Sequence, residues 1–214
     1  MLDVSTYTIC TGCGKCMHTL CGNDLLDSNL SFETRNSCPM CRAKVVTLGS
    51  AEDIKRLRKW SQKNKRWAQL MLGDRYSQGN GVPHDEKRAC VLYKLAADQG
   101  HHGAQHNLGI MYDQGQGVLQ SDILALKYYT LSAEQGHATA QYYLGVMYAN
   151  GRSGTQSSTE VFKKTRKWWI KAAKQGHDEA IRCLKILDEQ EGIKTTSSSN
   201  FTDNSTVLCS KCNK

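Results

Sequence analysis

Cysteine pairs in the first part of the chain have the residue type and the spacing of metal ligands. Of the ten cysteines among the 214 residues, six lie between positions 10 and 41. In two pairs the cysteines are separated by two residues, a spacing that lets both thiolates bind one tetrahedral zinc ion. Two such pairs complete a four-sulfur site, and we therefore predict a Zn²⁺ ion bound by Cys10, Cys13, Cys38 and Cys41.

Three further side chains that can bind a metal lie between these pairs, namely Cys16, His18 and Cys21. With the pairs they make seven ligands, one fewer than two closed zinc sites require. A second ion would bind His18 and Cys21 and would take its last ligand from Asp24 or from water. A disulfide and a loop without metal are the alternatives for these residues.

Zinc binding would supply folding free energy that this segment lacks. A segment of about forty residues with few large apolar side chains does not bury enough surface to fold unaided. Metal binding to cysteine and histidine contributes directly to folding. We expect the zinc to be structural, because the sequence contains no His-Glu-x-x-His pattern that would pair a zinc ion with a general base.

The remaining cysteines are interpreted separately. Cys209 and Cys212 form one more pair, which would complete the second zinc site, join two chains or belong to a loose tail. Cys90 and Cys183 fall on faces of predicted helices and are expected to be core thiols.

The compartment is predicted from two absences in the sequence. No stretch of 18 apolar residues, the length of a membrane-spanning helix, occurs, and the first residues do not resemble a signal peptide. We therefore expect an intracellular protein, cytoplasmic or nuclear. In a reducing compartment, cysteine pairs of this spacing bind metal more often than they form disulfides.

A pattern that recurs three times occupies the middle of the chain. Gly73, Gly109 and Gly145 follow one another at a period of 36 residues, and each is followed three residues later by a tyrosine. Self-similarity at this period predicts a helical solenoid in which each repeat is a pair of helices. The first helices are expected at about 67–78, 102–114 and 138–150, and the second helices at about 86–99, 122–135 and 159–175.

The repeat register also predicts the domain organisation. Residues 1–46 form the cysteine-rich finger, and a helix within 51–66, expected to end near residue 63, connects it to the repeats and caps them. The solenoid spans 67–190, with repeats at 67–102, 103–138 and 139–178 and a capping helix at 179–190. Residues 191–214 are rich in Ser, Thr and Asn and are predicted to be disordered.

Periodic histidines and a tryptophan pair are given structural roles. His101, His137 and His177 recur at the turn between repeats, and their separation of about one repeat is too large to share a metal ion. Trp169 holds a core position by register, whereas Trp168 and the neighbouring lysines are expected to form a solvated face.

The repeats resemble Sel1-like repeats of the tetratricopeptide-like superfamily. The resemblance rests on 108–112, which reads Leu-Gly-Ile-Met-Tyr, on Gly115-x-Gly117-Val118, and on Ala133-x-Gln135-Gly136-His137. It covers roughly residues 51–190, and the third repeat departs from it at Ser153 and Thr165. The resemblance implies an all-α fold, a right-handed α–α superhelical solenoid, whose concave face binds a protein or a peptide.

The cysteine-rich segment resembles the second half of a RING-type finger. The resemblance rests on the run from Cys13 to Cys21 and on Cys38-Pro39-Met40-Cys41-Arg42, although Lys15 replaces the usual His and the long first loop is missing. It implies a ubiquitin ligase without catalytic residues of its own, which holds a ubiquitin-conjugating enzyme near a substrate. By the same resemblance, Ile9 and Pro39 would contact that enzyme, and Arg42 would steady the donor ubiquitin.

Three functions are consistent with these patterns. The first is a zinc-binding adaptor whose solenoid binds a protein or peptide and whose finger acts as a ubiquitin ligase or ligase subunit. The second is a scaffold in which the zinc finger is purely structural. The third is a nucleic-acid-binding protein, because the net charge is +8 and residues 55–66 are rich in Lys and Arg.

Overall fold

The computed structural model describes residues 7–9, 16–18, 48–154 and 157–196, which divide into two compact units. The first unit spans residues 1–99 and the second spans residues 100–214. In the first unit the described elements are β1 (Tyr7–Ile9), β2 (Cys16–His18), α1 (Ala51–Gln62), α2 (Arg66–Gln78) and α3 (Glu86–Asp98). In the second unit they are α4 (His102–Gln114), α5 (Asp122–Glu134), α6 (Ala138–Ala149), α7 (Ser158–Ala173) and α8 (Asp178–Thr196).

The helices begin where capping side chains satisfy the free amide groups of the first turn. Ser50 Oγ accepts from the amide of Asp53 at 3.2 Å and so caps the start of α1. Asp85 and Ser121 cap α3 and α5 in the same way, one repeat apart. Side-chain N-caps therefore fix the starts of these three helices.

The basic segment 55–66 is not one helix. The helix α1 ends at Gln62, and α2 begins at Arg66. Between them Asn64 has a φ of 55°, a left-handed conformation that a continuous helix does not contain. The helix α1 thus ends one residue before the end expected near residue 63, and residues 63–65 form a turn that leads into α2.

In the first unit, α1 packs on α2 and α2 packs on α3. Ile54 and Leu57 bury the apolar side of α1. Next to them Asp53 is fully buried, and Arg75 Nε on α2 donates to Asp53 Oδ2 at 3.1 Å. A buried carboxylate needs such a partner, so this ion pair fixes the position of α1 on α2.

In the second unit, two apolar clusters hold successive helices together. One contains Ala125, Tyr129, Leu144 and Met147, which connect α5 and α6. The other contains Tyr142, Trp169, Ala180 and Leu187, which connect α6, α7 and α8. The predicted core thiol Cys183 is buried in this second cluster, and Cys90 is buried in the first unit.

Trp168 corrects a sequence prediction. It was expected on a solvated face, but it is only 9% exposed and belongs to the cluster of Ala125 and Leu144. Lys171 Nζ lies 4.4 Å from the centroid of its ring, and Lys167 Nζ lies 5.8 Å away. The two lysines are therefore exposed as expected, but the Trp168 ring that they cover belongs to the buried core.

The last helix is longer than the sequence predicted. A capping helix was expected to end near residue 190, whereas α8 continues to Thr196. Residues 189–194 include Glu, Gln, Ile and Lys, which are compatible with a helix, and the single Gly192 costs only about 1 kcal/mol. The helix α8 therefore extends six residues into the segment 191–214.

Candidate protein-interaction surfaces

Five of the seven predicted zinc ligands lie outside the described residues. Cys10, Cys13, Cys21, Cys38 and Cys41 belong to the part that is not described, as do Pro39 and Arg42 of the predicted enzyme-binding surface. Ile9, Cys16 and His18 are described as backbone only. The zinc sites and the contacts with a conjugating enzyme thus stay predictions.

The two short strands lie next to each other. β1 and β2 pair antiparallel, with Ile9 opposite Cys16 and Tyr7 opposite His18. The six residues that connect the strands include Cys10 and Cys13. The pairing therefore brings together the chain directly before the first cysteine pair and the chain shortly after it.

Within the described ranges, no group of three or more His, Cys, Asp or Glu side chains is arranged to hold a metal ion. Among the same residues, no helix has both the length and the apolar composition that a membrane span requires.

The first helices of the repeats in the second unit expose an apolar surface. Ile110 on α4 and Tyr143 and Val146 on α6 are half-buried and pack at the margins of the two clusters. Tyr143 and Val146 are three residues apart and so share a helix face. We call Ile110, Tyr143 and Val146 the first-helix surface. These three side chains pack against the buried clusters on one side and are accessible to solvent on the other.

Paired glutamines hold the helices that carry this surface. Gln135 Nε2 donates to Gln105 Oε1 at 2.7 Å, and Gln175 Nε2 donates to Gln141 Oε1 at 2.8 Å. Each bond joins the end of a second helix to a buried glutamine on the first helix of the same repeat. In the first unit Gln99 and Gln69 make the same contact at 2.6 Å. Sequence reasoning used the recurring glutamines only as a repeat marker.

Four aromatic side chains close to this surface form a cluster. The ring centroid of His106 lies 4.7 Å from that of His137 and 5.9 Å from that of Tyr143. His102 lies 5.3 Å from His137. We call His102, His106, His137 and Tyr143 the histidine cluster. The period of 36 residues pointed to His137, but the i, i+4 spacing of His102 and His106 on α4 was the signal that sequence reasoning missed.

Two histidines of the cluster, His106 and His137, favour the neutral imidazole. Burial, followed by the nearby His106 and His102, lowers the pKa of His137 from 6.5 to about 4. Burial also lowers the pKa of His106. His137 Nδ1 accepts from the amide of Ala140 at 3.2 Å, so this ring caps α6 in its neutral form. His106 is 9% exposed, and among the described residues its Nε2 has no hydrogen-bond partner.

An arginine in the loop after α6 joins three segments of the second unit. Arg152 Nη2 lies 2.6 Å from Asp113 Oδ1 on α4, and Arg152 Nε donates to Asp122 Oδ2 on α5 at 3.2 Å. Hydrogen bonding and charge from Arg152 lower the pKa of Asp122. Tyr129 Oη donates to Asp113 Oδ2 at 3.4 Å, and burial raises the pKa of the Tyr129 hydroxyl. This network ties the start of the loop after α6 to α4 and α5.

Comparison with known proteins agrees with the repeat pattern. A family model described as Sel1 repeat matches residues 68–101, 102–137 and 138–177. The crystal structure of a Sel1 repeat protein from Oxalobacter formigenes is 35% identical over 60% of this chain and 51% of that chain, with a TM-score of 0.55. No curated protein sequence matches the chain.

A second solved structure shares the fold. It is a protective antigen present in uropathogenic Escherichia coli strains, and it displays an SLR fold. It is 28% identical and has a TM-score of 0.58 over 77% of this chain and 31% of that chain. The match thus spans about half the length of the Oxalobacter protein and about a third of the length of the antigen. The prediction of an α solenoid of Sel1-like repeats is confirmed.

Proposed function

This chain belongs to the Sel1 repeat family, and from that premise we propose that it is a scaffold that binds a protein or peptide partner through its repeats. The observation that carries the proposal is the first-helix surface, where Ile110, Tyr143 and Val146 are supported by two cores but remain accessible. Apolar and aromatic side chains on a rigid base are typical of the residues that contribute most to binding between proteins.

Paired substitutions test this proposal. Peptides would be selected from a displayed library against the full chain, and their affinity would be measured for Val146→Arg and for Val91→Arg. Val91 is exposed on α3, so the second variant makes the same change away from the first-helix surface. We expect the selected peptides to lose about tenfold or more in affinity for Val146→Arg only, because an arginine there replaces an apolar contact.

The control for this experiment is folding. Thermal unfolding of both variants would confirm that each keeps the wild-type fold, and Val146→Ser replaces Val146→Arg if the arginine destabilises the half-buried site. Equal affinity of the selected peptides for the Val146 and Val91 variants would contradict the proposal, as would the failure of any peptide to bind wild type.

We further propose that the cysteine-rich segment binds structural zinc through Cys10, Cys13, Cys38 and Cys41, with His18 and Cys21, assisted by Cys16, at a second site. The antiparallel pairing of β1 with β2 supports this, because it brings together the two ends of the segment that carries Cys10 and Cys13. Zinc bound to four cysteines would supply folding free energy to that segment. Metal analysis of the full chain and of Cys38→Ser tests the proposal, and a wild-type chain without zinc would refute it.

The zinc finger would serve either as a purely structural module or as a docking site for a ubiquitin-conjugating enzyme. Ubiquitination assays with a panel of conjugating enzymes distinguish the two roles. A ligase would lose activity in both Arg42→Ala and Cys38→Ser, whereas a purely structural finger would give a wild-type chain that is inactive with every enzyme in the panel.

A further inference from the structure

A basic pocket in the first unit lies apart from the surface just proposed for partner binding. It has a volume of about 470 Å³ and is formed by α1 and by the loop that follows α2. Its lining residues are Ala51, Ile54, Lys55, Arg58, Lys59, Gln62 and Gly81. Lys55, Arg58 and Lys59 are exposed and lie within about one turn of α1, so their positive charges point to the same side of the helix.

The carboxylates nearest in sequence do not neutralise this pocket. Asp53 is buried and accepts from Arg75, and Glu52 pairs with Arg56 at 3.1 Å. Arg58 Nη2 lies 3.5 Å from the hydroxyl of Tyr76, which carries no negative charge. Among the residues that the structure describes, Lys55 and Lys59 have no ion-pair partner. Three positive charges therefore face one concavity in which the described part of the chain supplies no opposing charge.

The rim of the pocket is held in place by a close backbone approach. Gly81 has a φ of 75°, and a Cβ added to it would overlap the carbonyl oxygen of Gly49. The amide of Gly49 in turn donates to Asp53 Oδ2 at 2.9 Å, which ties the rim to the Asp53–Arg75 ion pair. Because this support is internal, a ligand would not have to order the backbone of the rim, and only the exposed basic side chains would lose freedom on binding.

We propose that this pocket binds an acidic peptide segment, with glutamate or aspartate side chains paired to Lys55, Arg58 and Lys59. Two of the three cations are lysines, which act as compact point charges and suit single carboxylates. Recognition of single-stranded nucleic acid would use accessible stacking rings as well. The nearest ring, Trp60, is half-buried, tilted against Trp67 at 6.2 Å, and has Lys63 Nζ 5.1 Å from its centroid.

Fluorescence anisotropy with the full-length protein tests this inference. The probes are a labelled peptide of alternating glutamate and alanine, the same peptide with glutamine in place of glutamate, and an oligothymidylate. The test variant is Lys55→Glu with Lys59→Glu. The matched control is Lys87→Glu with Lys94→Glu, which changes the net charge equally at exposed lysines of α3 that do not line the pocket.

We expect the glutamate peptide to bind wild type and the control variant alike, and to lose about tenfold in affinity for Lys55→Glu with Lys59→Glu. Binding should weaken as salt is raised, because the charges are exposed. Lys55→Gln with Lys59→Gln gives a milder second variant for which a smaller loss is expected.

Three results would overturn the inference: equal losses in the test and control variants, equal binding of the glutamine peptide, or tighter binding of the oligothymidylate than of the glutamate peptide. Val146→Arg should bind the glutamate peptide as wild type does. The experiments can therefore refute the proposal for the pocket without refuting the proposal for the first-helix surface, and the reverse.

Discussion

Tyr129 on α5 places its ring against Gly109 on α4, so that a Cβ added to this glycine would stand 2.5 Å from the ring carbon Cδ1. Tyr93 lies against Gly73 in the first unit, and Trp169 lies against Gly145 in the second. In every repeat the second helix thus presses one large ring onto a glycine of the first helix. The glycine is needed for this close approach rather than for its backbone conformation.

Gly109→Ala is expected to destabilise the protein by up to about 2 kcal/mol. A methyl group that displaces a rigid ring in a packed core costs about 1–3 kcal/mol. The preference of helices for alanine over glycine offsets about 1 kcal/mol of this cost. Chemical denaturation of the purified full chain would measure the loss.

The control for Gly109→Ala is a double-mutant cycle with Tyr129→Leu, which removes the ring. The alanine should cost less, or even stabilise, when the ring is absent. Losses that simply add would show that the ring and the glycine do not interact energetically.

Thr165→Ala is expected to leave stability unchanged or to raise it by about 1 kcal/mol. Thr165 is 2% exposed and occupies the position at which the other repeats have Ala89 and Ala125, and among the described residues its hydroxyl has no hydrogen-bond partner. Replacing Thr165 with alanine removes a hydroxyl that is desolvated in the folded state without a compensating hydrogen bond from the described residues. The midpoint of urea denaturation would measure the change.

Ser132→Ala is the matched control for this prediction. Ser132 is also fully buried, but its Oγ donates to the carbonyl of His102 at 2.8 Å. Its removal should cost about 1 kcal/mol. If Thr165→Ala destabilised the protein as much as Ser132→Ala does, the threonine hydroxyl would make a hydrogen bond that stabilises the fold, and the prediction would be wrong.

His137 makes stability depend on pH below neutrality. Its pKa is about 4 in the folded protein and near 6.5 when the chain is unfolded. Between these values the unfolded state binds more protons, so stability is present above pH 6.5 and falls as the pH falls toward 4. His137→Asn should reduce this dependence, because asparagine can still cap α6 but does not titrate.

Thermal unfolding of wild type and His137→Asn between pH 4 and pH 6.5 would measure how strongly the stability of each protein depends on pH. Asp74 contributes with the opposite sign, since burial raises its pKa to about 6, but it is present in both proteins. His177→Asn is the matched control: His177 also caps a helix, yet Glu179 and Asp178 oppose the lowering of its pKa, so the effect should be smaller. Identical pH profiles for wild type and His137→Asn would contradict the prediction.

The helices of the repeats could be predicted from the sequence because their signals are local. The 36-residue period, the N-caps at Asp85 and Ser121 and the glycines at helix ends place each helix within about two residues. The burial of Trp168 could not be predicted from the repeat period, because α7 packs against two apolar clusters. Trp168 belongs to one cluster and Trp169 to the other, so adjacent residues on one helix are both buried.

The interactions that the sequence did not reveal join residues far apart in the chain. Arg152 and Asp122 are 30 residues apart, and His106 and His137 meet only because α4 and the start of α6 lie side by side. Nothing in the spacing of a loop arginine identifies its partners, since these depend on how the helices pack. The cysteine spacing, in contrast, is itself a local signal, and the zinc prediction rests on it alone.

Arg152 is expected to stabilise the second unit by about 1 kcal/mol, more than an ordinary surface ion pair contributes. Its guanidinium binds Asp113 on α4 and Asp122 on α5 together. Arg152→Gln would leave the Asp113 side chain, which is largely buried, without its cation. Arg152→Lys should recover little, because one ammonium group cannot reproduce the fork that reaches both carboxylates.

Arg182→Gln is the matched control for Arg152→Gln. Arg182 pairs with Glu179 on the same helix, and both side chains are exposed, so its removal should change stability very little. Chemical denaturation of the three variants at low and high salt would rank them. A lysine variant as stable as wild type, or equal losses for Arg152→Gln and Arg182→Gln, would show that the joint contact with Asp113 and Asp122 does not stabilise the unit.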